Sequence, residues 1–147
     1  MDKEYFLSIK TNIIQNQNLR DPQIEAYIEV YDHFISKNKE RQHAMAVLPT
    51  GSGETGLIAM LPYNICKGRV LIIAPQLTIL DTLEGSLDSG NANNFWIDTK
   101  IISNPSQLPV VVKYEGKETR KTHMEKANIV IVNIQKSQSR NKMALLN

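Results

Sequence analysis

The stretch Ala44–Met60, AMAVLPTGSGETGLIAM, restricts the fold more than any other part of the chain. A short apolar run, Ala44–Leu48, meets Pro49-Thr50-Gly51-Ser52-Gly53, and a second apolar segment follows at once. Glycines this close together interrupt helix and strand alike, so the spacing predicts a strand, a tight turn and then a helix. A turn of that kind aims backbone N–H groups at one point beside a helix N-terminus, the layout that cradles a phosphate. Thr50-Gly51-Ser52-Gly53 and Thr55 agree with the pattern Thr-Gly-Ser-Gly-Lys-Thr, but Glu54 stands where the pattern has lysine. The plain structural alternative is a strand-to-helix turn that holds no ligand.

A chain of 147 residues makes one domain at most, or part of one. Its composition, 41% hydrophobic and 22% charged, is that of an ordinary globular protein rather than a disordered one. The formal charge of +2 does not by itself imply a nucleic-acid partner; a basic surface would need local clustering. Cys66 lies in an apolar helical pattern and reads as an inert thiol. His33, His43 and His123 share no metal-ligand spacing with each other or with Cys66. The start, MDKEYFLSIKTNII, lacks a basic segment followed by a long apolar one, so no secretion signal is expected. No apolar run approaches the roughly 18 residues of a membrane span, and a soluble, cytoplasmic chain is the expectation.

Taken in order, residues 3–16 place Tyr5, Phe6, Ile9, Ile13 and Ile14 on one face of an expected helix. Asp21 suits an N-cap and Pro22 the first helical position. Ile24, Tyr27, Ile28, Tyr31, Phe34 and Ile35 then predict an amphipathic helix to about Ser36. After the glycine loop a helix from Glu54 should end near Pro62, whose ring clashes with the preceding turn. Arg69–Ala74 reads as a strand covered on both faces. Thr78 and Asp81 resemble a capping box for a helix carrying Leu80, Leu83 and Leu87. Asp88–Asn94 is loop by composition, Phe95–Ile102 and Pro109–Lys113 are expected strands, residues 117–126 a helix, and Asn128–Ile134 a buried strand. Strands alternating with helices predict an α/β fold with a mainly parallel sheet and right-handed crossovers.

Leu19-Arg20-Asp21-Pro22-Gln23 with Glu25-Ala26, then PTGSGET, VLIIAPQLTIL and ANIVIVNIQKSQS, together resemble superfamily 2 helicases. The likeness is greatest to their type III restriction and DEAD/DEAH-related branch, and it spans about residues 19–140. It implies a RecA-like P-loop NTPase fold that takes ATP and Mg²⁺. It assigns Gln23 to the adenine edge, Thr50, Gly51, Ser52, Gly53, Glu54 and Thr55 to the phosphates, and the Thr55 hydroxyl to the metal. Pro75, Gln76 and Thr78 match a loop that contacts nucleic-acid backbone. Asn133–Arg140 matches a second, where Lys136 and Arg140 supply charge. Such contacts would hold a strand, DNA by preference, without reading its sequence.

Two departures from the family limit the expectation. A carboxylate at Glu54 replaces attraction to phosphate with repulsion, on the order of 4 kcal/mol per charge pair at ~4 Å and an effective dielectric of ~20. Weak nucleotide binding is therefore expected, whereas a glutamate in the first turn of a helix does the fold no harm. The family's acidic Asp-Glu motif and its second motor domain would follow Asn147, and no Asp-Glu pair occurs in the chain. Residues 1–147 are expected to comprise an N-terminal helix (1–18) and a partial RecA-like domain (19–147) that is incomplete at its C-terminus. No catalytic residue is assigned, and no ATP hydrolysis is expected of this chain alone. An open sheet edge and the Met143–Leu146 group would invite a partner chain or the missing C-terminal part. The alternative is a non-catalytic module that keeps the fold and pairs with another chain; a small P-loop kinase is a weaker third reading.

Overall fold

Three runs rich in β-branched residues build the sheet: β1 (Val70–Ala74), β2 (Val111–Tyr114) and β3 (Ile129–Asn133). They pair in parallel in the order β1-β3-β2 in the computed structural model, which describes residues 1–37, 43–116 and 119–133. Six helices accompany them among the described residues: α1 (Tyr5–Ser8), α2 (Asp21–Tyr31), α3 (Glu54–Met60), α4 (Leu77–Leu87), α5 (Phe95–Asp98) and α6 (Lys121–Lys126). Parallel neighbours need crossovers, which α4 and α5 supply between β1 and β2, and α6 between β2 and β3.

The register opposes Ile72 to Ile131 and Tyr114 to Val132, and a period of two then sorts the side chains by face. Ile72, Ala74, Ile129 and Ile131 enter the main core with Leu57 and Met60 of α3 and Leu80, Leu83 and Leu87 of α4. Val130, Val132 and Tyr114 join Ala127 in a smaller cluster, with Met124 of α6 packed on it. The central strand β3 is buried at every position, as the apolar run predicts. Asn128 ties the strand entrances together: its Oδ1 accepts from Val110 N at 2.8 Å and its carbonyl from Val70 N at 2.9 Å. Arg69 closes the end of α6, donating to the carbonyls of Ala127 (3.0 Å) and Glu125 (2.9 Å).

Several expectations change against this frame. β1 is not covered on both faces: Leu71 is 44% and Ile73 53% exposed, because the helices of the main core lie on the opposite face. Ala44–Leu48 is not a strand. It makes no backbone hydrogen bond among the described residues and runs beside α2, with Met45 89% and Val47 84% exposed. A strand needs a neighbour, and among the described residues β1 pairs only with β3. The helix expected over 3–16 is one short turn, because tertiary bonds capture the backbone. Asn64 N donates to Phe6 O at 2.9 Å and Asn12 N to Ile101 O at 3.0 Å. Phe95–Ile102 begins as the one-turn helix α5, since the Asn94 side chain caps Ile97 N at 3.1 Å. The amphipathic helix leaves α-geometry for a π turn at Asp32–Ser36. Its N-cap is Arg20 rather than Asp21, and the N-cap of α4 is Gln76, with Thr78 inside the helix. The polar tail after Asn133 and residues 117–118 lie outside the described residues.

Candidate nucleotide-binding site

The glycine turn is tight because Pro49 O receives two bonds from one residue, Ser52 N at 3.0 Å and Ser52 Oγ at 2.5 Å. Gly51 (φ +78°) and Gly53 (φ +104°) both take left-handed backbone, which a side chain would strain. α3 starts directly after them. Leu57 N donates to Gly53 O at 3.1 Å, while the N–H groups of Glu54, Thr55 and Gly56 meet no acceptor among the described residues. Those bare donors and the aligned peptide dipoles make the turn electropositive.

The first turn of α2 holds the loop from the side. Gln23 is 5% exposed; its Nε2 donates to Gly53 O at 3.0 Å and its Oε1 accepts from Arg20 N at 2.9 Å. The Arg20 guanidinium donates to Gly51 O. Room for the amide depends on missing side chains: a Cβ at Gly53 would sit 2.2 Å from Nε2, and one at Gly56 2.3 Å. Gly56 also lets Phe95 approach, since a Cβ there would come within 2.7 Å of the ring. Sequence reasoning passed over Arg20 and Gly56. A signal for the second was present, because glycine in a helical turn is costly unless something packs against it.

Glu54 is the first residue of α3 and is exposed, as are Thr50 and Gly51, while Ser52 and Thr55 are half-buried. The donor set is thus backbone N–H plus the hydroxyls of Thr50 and Thr55, since Ser52 Oγ gives its one proton to Pro49 O, with one carboxylate in the lysine position. It fits a phosphate through its backbone and disfavours one through Glu54. Among the described residues no group of three His, Cys, Asp or Glu side chains is arranged to hold a metal ion.

Pro75, Gln76 and Thr78 lie together where β1 passes into α4, and all three are exposed. α4 packs against α3, so this connection and the glycine loop belong to neighbouring helices. Lys136 and Arg140 lie outside the described residues. Two clefts lie elsewhere: one of about 340 Å³ separates α2 from His43–Val47, and another of about 380 Å³ is lined by Thr11, Ile13, Tyr27 and Asn64. Burial pushes the Cys66 thiol up, which suits an inert thiol. It pushes Tyr5 up to about 12, offset in part by the hydrogen bond with Tyr63. Tyr63 is raised as well, by burial first and then by the neighbouring Tyr5. Among the described residues no helix is long and apolar enough to cross a membrane.

A parallel α/β sheet with a glycine turn leading into a helix N-terminus defines a P-loop domain of the RecA-like kind. The profile of the family described as type III restriction enzyme, res subunit, matches residues 16–146, and the chain belongs to that family. It is a superfamily 2 helicase-related group whose domain is helicase-like and ATP-binding. No curated protein and no solved structure matches the chain.

Proposed function

We propose that residues 1–147 form the nucleotide-binding and nucleic-acid-contacting part of a cytoplasmic superfamily 2 DNA helicase or translocase, and do not hydrolyse ATP by themselves. The observation that carries this reading is the loop Gly51–Gly53, left-handed at both glycines and open onto the bare N–H groups of α3. The backbone of Gly51–Thr55 holds the polyphosphate, with Thr50 and Ser52 at its flank. The Thr55 hydroxyl is the protein's ligand for Mg²⁺ that arrives with the nucleotide, and Gln23 borders the site from α2. When bound, Mg²⁺ supplies charge neutralisation between phosphates. Pro75, Gln76 and Thr78, with Lys136 and Arg140, contact nucleic-acid backbone.

Glu54 weakens the site by placing a carboxylate where the family pattern has lysine. The test is calorimetry with ATP-Mg²⁺ on the chain as it stands and on Glu54→Lys. Binding that strengthens in the variant supports the reading; no binding by either sinks it. A nucleic-acid-stimulated ATPase rate from residues 1–147 alone would refute the inactivity.

One observation favours a second reading, a non-catalytic module that pairs with another chain. Among the described residues β1 has no strand on its outer edge, and Leu71 and Ile73 on one of its faces are exposed. Size-exclusion chromatography separates the two, since a stable monomer argues against it and a defined dimer for it.

A further inference from the structure

Helix α2 turns one face to the core through Gln23 and Tyr27 and leaves a second apolar face open beside it. Ile28, Tyr31 and Ile35 follow at i, i+3 and i+7, the spacing of one helical stripe. Two adjoining clefts border it. One of about 260 Å³ is lined by Ile14, Tyr27, Ile28, Tyr31 and Asn64, and the cleft of about 380 Å³ shares Ile14, Tyr27 and Asn64 with it. Ile28 and Ile35 are each 42% exposed and Ile14 63%, so isoleucine lines both walls with nothing over it among the described residues.

Charge decides what can cover this groove. α2 carries Asp21, Glu25 and Glu29, four residues apart on the adjoining row, and no Lys, Arg or His. All three are exposed, and none has an ion-pair partner among the described residues, whereas Asp32 is held by Lys37 at 3.2 Å. The whole chain is formally +2, so negative charge is concentrated here beside an apolar surface. Charge at the rim of an apolar contact selects a partner of opposite sign.

Geometry decides the partner's form. The backbone of α2 is bonded within the helix, and across the groove Asn12 N is given to Ile101 O, so an added strand would find no ladder to join. A helix docks through side chains alone and lays its own i, i+3, i+4, i+7 anchors on such a stripe. A second copy of the chain fits poorly. An α2–α2 contact would bring Asp21, Glu25 and Glu29 of both copies into one interface with no cation from either helix. The one basic helix among the described residues, α6, already packs Met124 on the smaller core cluster.

We infer that the groove between α2 and residues 11–15 is a docking site for an amphipathic helix of a partner protein, apolar on one face and flanked by lysine or arginine. Tyr27 and Tyr31 lie about one and two turns along α2 from Gln23, so the site is separate from the glycine loop. It is separate from the exposed β1 face as well, and it stands whether or not the chain binds nucleotide.

The test titrates the full chain, by fluorescence anisotropy, with a labelled synthetic helix about five turns long. One form has leucine on one face and lysine on the flanks; the other has glutamate in place of lysine. A chain of net positive charge has no general attraction for the lysine form. That form should bind in the micromolar range and the glutamate form at least about tenfold more weakly, with the gap closing as salt rises. Ile28→Asp, and Glu25→Lys combined with Glu29→Lys, should each weaken the lysine form by about tenfold. Ile73→Lys, on the β1 face, should leave it unchanged. Glu25 and Glu29 are exposed, so their variant keeps the test open even where Ile28→Asp lowers stability.

No binding of the lysine form, equal binding of the two forms, or binding that survives both α2 variants would overturn the inference. So would binding lost in Ile73→Lys and kept in Ile28→Asp. A dimer of the chain that Ile28→Asp dissolves would overturn it too, by giving the groove to a second copy.

Discussion

At the glycine loop a single charge, that of Glu54, stands where the family pattern has lysine. Glu54 occupies a helix N-terminus, where a carboxylate is structurally favourable, and is exposed, so its repulsion toward phosphate is screened by water. Glu54→Lys should therefore raise ATP or ADP affinity by about tenfold rather than the full Coulomb value, as measured by calorimetry. Fold stability should change by less than about 0.5 kcal/mol, the usual limit for a surface substitution. Tyr5 offers a second test at this scale. Its hydroxyl meets Tyr63 at 2.9 Å and donates to Gln107 O at 2.7 Å, and its folded pKa is pushed up to about 12 against 10.0. A raised pKa means that the folded chain holds the proton more tightly. The stabilisation is then fully present below pH 10 and is lost as pH rises through about 12. Urea midpoints should fall across that window, and Tyr5→Phe should flatten the fall.

Among the elements, α5 shows how a short piece can hold a site in place. It is one turn long, yet Trp96 is fully buried, with its indole N–H on Ala59 O of α3 at 3.0 Å, and Phe95 lies against Gly56. Trp96→Phe removes that bond and leaves a void, and should cost about 1–3 kcal/mol in denaturant unfolding. The same measurement on Leu83→Ala, in the α4 face that meets the sheet, should give about 2–5 kcal/mol. The two helices were not equally legible. α4 announces itself through Leu80, Leu83 and Leu87 at helical spacing, and all three are buried. Phe95–Ile102 is too short for periodicity to decide, and only Asn94, a cap residue, hints at a helix.

For the molecule as a whole, the decisive feature is a sheet whose two outer strands, β1 and β2, have no further strand beside them among the described residues. β3 is enclosed by β1 and β2, while the outer edge of β1 and its Leu71 and Ile73 face have no partner among the described residues. Flat apolar edges promote association. Ile73→Lys should therefore reduce any concentration-dependent self-association seen by sedimentation velocity, with the folded monomer retained because position 73 points away from the main core. The expected strand at Ala44–Leu48 failed at this scale. Its pattern is that of a strand, but pairing is a property of two segments, and this one lies along α2 instead.

The sequence by itself determined the three paired strands, the long amphipathic helices and the glycine loop, because each follows from local periodicity and from backbone freedom at Gly51 and Gly53. It also carried the family, since residues 16–146 match as a whole. Tertiary structure decided where Ala44–Leu48 lies, why residues 9–13 leave the helix, and which groups Gln23 touches. Each of those outcomes turns on a hydrogen bond made, or not made, with a segment distant in the chain. Gln23 meets Gly53 across thirty residues, and no local pattern encodes that contact.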